Sequence, residues 1–169
     1  MQDFVIVSEG LEEKFILRAK ELGYDSLILL YKYSKGAKLP SFSSDFVKTG
    51  WFLDANVEKD FSGYEIVVAL GTKFIRLPKG VSHVVMNEFE PEKDFIHQRR
   101  SGLNHVFLND FKGKVLFAFS SLQNLNLERQ SQIIGRFMQN VNLTSNWSVV
   151  SLASDVSEMR DYFDVKAFS

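Results

Sequence analysis

The sequence predicts an α/β fold: a compact, irregular TIM-like barrel in a single domain over residues 1–169, with shortened crossovers in the middle of the chain. Three observations predict it. Seven short apolar runs show almost no apolar–polar alternation, as expected of strands covered on both faces in a parallel sheet. Helical patterns alternate with those runs, and strand–helix–strand order implies right-handed crossovers. No Gly-x-Gly-x-x-Gly turn follows a strand, which favours a closed barrel over a dinucleotide-binding open sheet. Full barrels of this type usually need about 200 residues or more, so a chain of 169 residues must be pared down somewhere.

The elements follow in order. The apolar runs are 4–7, 27–30, 51–53, 66–70, 84–86, 115–119 and 147–150. Between the first two, Leu11, Phe15, Ile16, Ala19 and Leu22 share one helical face. Glu12 and Glu13 suit that helix's positive end, and Gly23 suits its stop. The intervals from Trp51 to Ile66 and from Ile66 to Val84 are too short for crossover helices, so turns or 3₁₀ segments are expected there. A second helix is predicted over 103–112, with Ser101 as N-cap, Gly113 as stop, and Leu103, Val106, Phe107 and Phe111 as its buried stripe. A third, over 127–141, should bury Ile133, Ile134, Phe137, Met138 and Val141. A short fourth is expected over 155–162.

Composition excludes several classes. The chain is 45% hydrophobic and 24% charged, an ordinary globular balance, and its 16 Phe fit a Phe-rich core. With no Cys, thiolate chemistry, disulfides and thiolate metal sites are all excluded, and a reducing, cytoplasmic setting is expected. Neither a signal peptide nor a membrane span is expected, since no apolar run approaches about 20 residues. A formal charge of −1 argues against a stand-alone nucleic-acid binder but is compatible with a local basic face. His83, His97 and His105 show no metal-ligand spacing. Nucleophile-elbow and phosphate-loop motifs are absent too. Asp54 and Glu88 are strand-end acids of a kind any barrel has.

Two stretches carry the cationic chemistry. Arg99 and Arg100 precede the predicted helix N-terminus, whose free N–H groups favour an anion. Lys112 and Lys114 bracket its far end, and Arg160 lies in the last helix. A phosphate-binding surface and a solvated charge pair with a dipole-offsetting lysine both fit that pattern. Residues 31–48 carry Lys32, Lys35, Lys38 and Lys48 against Asp45, interleaved with Tyr31, Tyr33 and Phe42. That composition suits contact with phosphates and unpaired bases, and equally suits a solvated loop.

Four patterns then follow one another along residues 97–169. A basic turn leads into Ser101-Gly102-Leu103-Asn104-His105 and a helix. A strand ends in Ala118-Phe119-Ser120-Ser121-Leu122. After the long helix, another strand ends in Ser151-Leu152-Ala153-Ser154. Arg160 then precedes Asp164-Val165. In order and spacing these resemble the thirty-kilodalton protein subunit of ribonuclease P, called ribonuclease P protein component 3 in archaea. The first half agrees mainly in layout, best at Leu22-Gly23-Tyr24-Asp25. Arg100 stands where the family often has an acid, Ala118 where it has Gly, and the chain stops soon after Asp164. The resemblance is thus to a reduced, archaeal-type member.

The resemblance implies an irregular TIM-like barrel related to the polymerase-and-histidinol-phosphatase barrels, whose metal ligands the family mostly lacks. It implies a non-catalytic subunit that stabilises the catalytic ribonuclease P RNA for removal of the tRNA 5′ leader. The RNA would use magnesium, and the protein would bind no cofactor. Its partners would be that RNA, a small ferredoxin-like protein subunit and, indirectly, precursor tRNA, with no membrane. Arg99, Arg100, Lys112, Lys114 and Arg160 would face RNA, with Arg160 alternatively tying down the last helix. Ser101, Gly102 and Asn104 would shape the turn; separately, from its composition, the loop with Lys32, Lys35 and Lys38 is a candidate for a further RNA contact. The rivals are a metal-dependent phosphoesterase on the same barrel and a scaffold that binds protein but no RNA.

Overall fold

The structure, a computed structural model, describes residues 1–71, 76–86, 105–123 and 125–167. Seven parallel strands lie side by side in chain order: β1 (Gln2–Ile6), β2 (Ser26–Lys32), β3 (Val47–Leu53), β4 (Val67–Leu70), β5 (His83–Met86), β6 (Lys114–Ala118) and β7 (Trp147–Val150). A parallel bridge between Val5 and Ala153 brings the segment after β7 back to β1, so the sheet is nearly closed into a barrel. Every run expected to be a strand is one.

Both faces of these strands are covered, which is why the sequence does not alternate. The interior is filled by Phe4, Ile28, Leu30, Phe52, Ile66, Val68, Val85, Leu116, Ala118, Val150 and Leu152. Their outward neighbours, such as Val5, Leu29, Trp51, Val67, Val115 and Val149, pack into three outer clusters. Gly50 faces the interior, where a Cβ would lie 2.6 Å from the Ile66 side chain. The crowded lumen admits nothing larger.

Helix α1 (Glu12–Glu21) buries Phe15 and Ala19 as expected. It ends as predicted at Gly23, in the left-handed region at φ 82°. The Tyr24 amide donates to Ala19 O and the Gly23 amide to Lys20 O, so the helix closes in a Schellman motif. The described part of helix α2 (His105–Asp110) ends two residues before the predicted end at 112. The expected caps and turn at 101–104 lie outside the described residues. Gly113 has a reason other than ending a helix: a Cβ there would sit 2.2 Å from Ser82 O. Helix α3 (Leu127–Val141) has its predicted bounds, and Asn126 Oδ1 caps it by accepting from the Arg129 amide. Ile133 and Phe137 are buried, but Met138, expected in the core, is 58% exposed. It lies on the solvent flank of the stripe.

The expected last helix is two pieces. A 3₁₀ turn at Val156–Glu158 is held by a capping box between Asp155 and Glu158, and α4 (Tyr162–Lys166) starts from an Asp161 cap. Between them Met159 is extended and 1% exposed, packed into the α1 cluster. Seating that side chain requires the break. Among the described residues no α-helix crosses from β3 to β4 or from β4 to β5, matching the shortened crossovers expected, and none crosses from β2 to β3. Loop side chains replace the missing helices. Phe61, with Tyr31, Tyr33, Leu39, Val57, Leu77 and Val81, covers Trp51, Leu53, Val67 and Ala69 on the outer face of β3 and β4.

Candidate functional site

Because all strands run the same way, the barrel has a distinct N-terminal and C-terminal end, and the cations divide between them. Lys114 opens β6 at the N-terminal end, directly across from His83 at the start of β5, with exposed Lys112 just before it. Lys32 closes β2 at the C-terminal end and pairs with Asp54 at 3.2 Å, while exposed Lys35 and Lys38 follow in the β2–β3 loop. Arg160 lies between the last 3₁₀ turn and α4, where its carbonyl accepts the Tyr24 hydroxyl at 3.0 Å. Lys112 and Lys114 therefore share no end of the barrel with Lys32, Lys35 and Lys38. Arg99, Arg100, Ser101, Gly102 and Asn104 lie outside the described residues, as do His97 and Glu88.

At the N-terminal end, His83 continues the inward alternation of Val85, and its ring packs on Phe4 at 5.1 Å. Its Nδ1 is 2.8 Å from Ser82 Oγ, which also accepts from the Val67 amide. Burial, reinforced by the Lys114 charge, pushes the imidazole down from 6.5 to about 4. A neutral packed histidine with a fully engaged serine is structural chemistry and does not form a nucleophilic pair.

At the C-terminal end, two of the four sequence patterns meet. β6 runs directly into a 3₁₀ turn at Phe119–Leu122. The Ser120 amide donates to Ser151 O at 2.9 Å, Ser120 Oγ donates to Leu152 O at 3.1 Å, and Gln123 Nε2 reaches Glu158 O at 2.6 Å. Leu152 takes φ 45°, a left-handed conformation uncommon for its type, as the chain turns from β7 toward β1. The Leu152 amide donates to Phe4 O and the Ile6 amide to Ala153 O, each at 2.8 Å, and these bonds close the barrel.

Beside that seam lies Asp3, fully buried on β1. Its Oδ1 accepts from the Ser151 amide at 2.7 Å, and its Oδ2 has no hydrogen-bond partner among the described residues. Burial raises its carboxyl from 3.8 to about 6, against the lowering effect of the Ser151 hydrogen bonds. The neighbouring Tyr24 hydroxyl is raised too, by burial first and by the charge of Asp3 second. Asp3 is not among the residues expected from sequence to form a site; the signal that could have found it is an acid beside an apolar run.

The loop-covered flank of β3 and β4 holds a second group that sequence reasoning missed. Lys59 Nζ sits 4.8 Å from the ring centre of Tyr33 and 5.3 Å from those of Phe61 and Tyr64. Tyr33 meets Trp51 and Phe61 edge-on, at 5.4 and 5.1 Å. Of the other aromatics near the β2–β3 loop, Tyr31 donates to Glu12 at 3.2 Å and Phe42 is exposed. The spacing Lys59-x-Phe61-x-x-Tyr64 is visible in the sequence, but its convergence with Tyr33 is not.

Among the described residues no three His, Asp or Glu side chains converge as a metal site, and no helix is long and apolar enough to cross a membrane. No protein-family model matches the chain, and no curated protein matches it either.

Proposed function

We propose that this chain is a non-catalytic protein subunit of ribonuclease P that binds and stabilises the catalytic RNA for removal of the tRNA 5′ leader. The observation that carries the reading is the order and spacing of the four patterns along 97–169. Two of them, Ala118–Leu122 and Ser151–Ser154, lie against each other at the C-terminal rim through Ser120 and Ser151. Residues far apart in the chain thus behave as one structural unit on the barrel that the resemblance implies. Their hydrogen bonds are internal, so these patterns hold the rim while cations at both ends of the barrel would face RNA. Lys32, Lys35, Lys38, Lys112, Lys114 and Arg160, with Arg99 and Arg100, would supply phosphate contacts. The partners would be ribonuclease P RNA and a small ferredoxin-like subunit, in the cytoplasm of an archaeon, with magnesium used by the RNA.

A pull-down of the chain from its native cells tests this directly. Recovery of a structured RNA together with a small ferredoxin-like protein is the expected result, and recovery of neither would overturn it. In a reconstituted enzyme, Arg99→Ala with Arg100→Ala should weaken RNA binding. It should also reduce the slope of log K against log salt by roughly 0.7 to 0.9 for each phosphate no longer neutralised.

A further inference from the structure

We propose that Tyr33, Lys59 and Tyr64, on the loop-covered flank of β3 and β4, form a docking site for one unpaired nucleotide of an RNA strand. The choice of RNA as occupant rests on the function proposed above; the site itself rests on its own geometry. Phe61 is fully buried and Trp51 is 1% exposed, and together they hold the tyrosine rings in place. Trp51 meets Tyr64 near perpendicular at 6.1 Å, and Phe61 meets Tyr64 at the same distance. Tyr64 itself is 36% exposed, so a rigidly backed aromatic ring is open to solvent. Such a ring stacks an unpaired base of any sequence.

Lys59 covers this platform by lying over three rings and is itself exposed. An exposed cation–π interaction is weaker than the stacking of a base. Lys59 therefore swings from the rings to the phosphate of the nucleotide that replaces it. The local charges favour that exchange. Asp54 and Glu65 are held by Lys32 and Lys48, and Asp60 turns onto the Ser62 amide. Lys35, Lys38, Lys59 and Lys79 then stand against Asp45, Glu58 and Asp60, and none of these four lysines forms an ion pair among the described residues. A purely apolar ligand would use the rings and leave the lysine idle.

The test is binding of uridine and adenosine hexanucleotides to the whole chain at low salt, followed through tryptophan fluorescence. Tyr64→Ala should lower affinity about ten-fold or more, and Tyr64→Phe should restore it. Lys59→Met should reduce the salt slope by about 0.7, and Lys59→Arg should keep it. If both Tyr64→Ala and Lys59→Met bind as the unaltered chain does, or if the unaltered chain binds neither hexanucleotide, the cluster only pins the β3–β4 loop and the proposal fails. Hexanucleotide binding that depends on Tyr64, with no ribonuclease P RNA recovered from cells, would retain this site and reject the ribonuclease P assignment. Recovery of that RNA by a Lys59→Met, Tyr64→Ala chain at undiminished affinity would do the reverse.

Discussion

Asp3→Asn removes a charge buried at the barrel seam while keeping the acceptor that the Ser151 amide uses. Burial raises the carboxyl from 3.8 to about 6 in the folded protein. Below pH 3.8 both folded and unfolded chains carry the proton, and Asp3 costs nothing through ionisation. As pH rises toward 6 the unfolded chain releases the proton first, so stability falls; above 6 the full penalty is in place. At about 1.4 kcal/mol per pH unit the penalty is about 3 kcal/mol. His83 works in the opposite sense. Held down at about 4 from 6.5, it loses stability as pH falls through that window. The two slopes oppose, so the informative quantity is the difference between variant and unaltered protein. Near pH 4 that difference should be close to zero, because Asn and protonated Asp are near-isosteres that each leave one polar atom unpaired. By pH 7 to 8 the variant should be more stable by about 3 kcal/mol, a rise in the urea midpoint on the order of 1–2 M. Urea titrations at unit steps from pH 4 to 8 measure it. A difference that stays constant across that range would falsify the claim that Asp3 ionises against its burial.

His83→Gln should change stability least near pH 7 and gain progressively on the unaltered protein as pH falls from 6.5 toward 4, read by thermal unfolding at fixed salt. Gly80→Ala places a Cβ 2.2 Å from the Phe61 backbone at φ 84°, and should cost roughly 2 kcal/mol or more. It should also loosen the platform beneath Lys59, visible as a changed Trp51 fluorescence spectrum. Phe137→Ala empties a site where the ring meets Phe117 at 4.2 Å and Trp147 at 5.5 Å, and should destabilise by about 3 kcal/mol in urea titration.

Much of the architecture was legible in the sequence. All seven strands, α1 with its Gly23 stop and the bounds of α3 follow from local pattern, since burial on both faces of a strand and on one face of a helix leaves a periodic mark. The shortened crossovers followed from arithmetic on the spacing between Trp51, Ile66 and Val84. What lacked a local mark was missed. Met138 has the spacing of a core residue, yet its exposure depends on how far neighbouring elements wrap around α3. The break at Met159 reflects a pocket beside α1, distant in the chain, that this side chain must fill.

The candidate sites divide in the same way. By itself the sequence determined which residues are cationic, the order of the four patterns and the absence of thiol chemistry. Only the tertiary structure decided that Lys114 and Lys32 stand at opposite ends of a parallel barrel, and that Ser120 and Ser151 are bonded neighbours. It likewise brought Tyr33 under Lys59 and placed Asp3 out of reach of water. The reason is physical: secondary structure follows from patterns a few residues long. Shared ends, buried charge and converging rings arise only when distant segments close around a common core, and their energies depend on neighbours that the local sequence does not name.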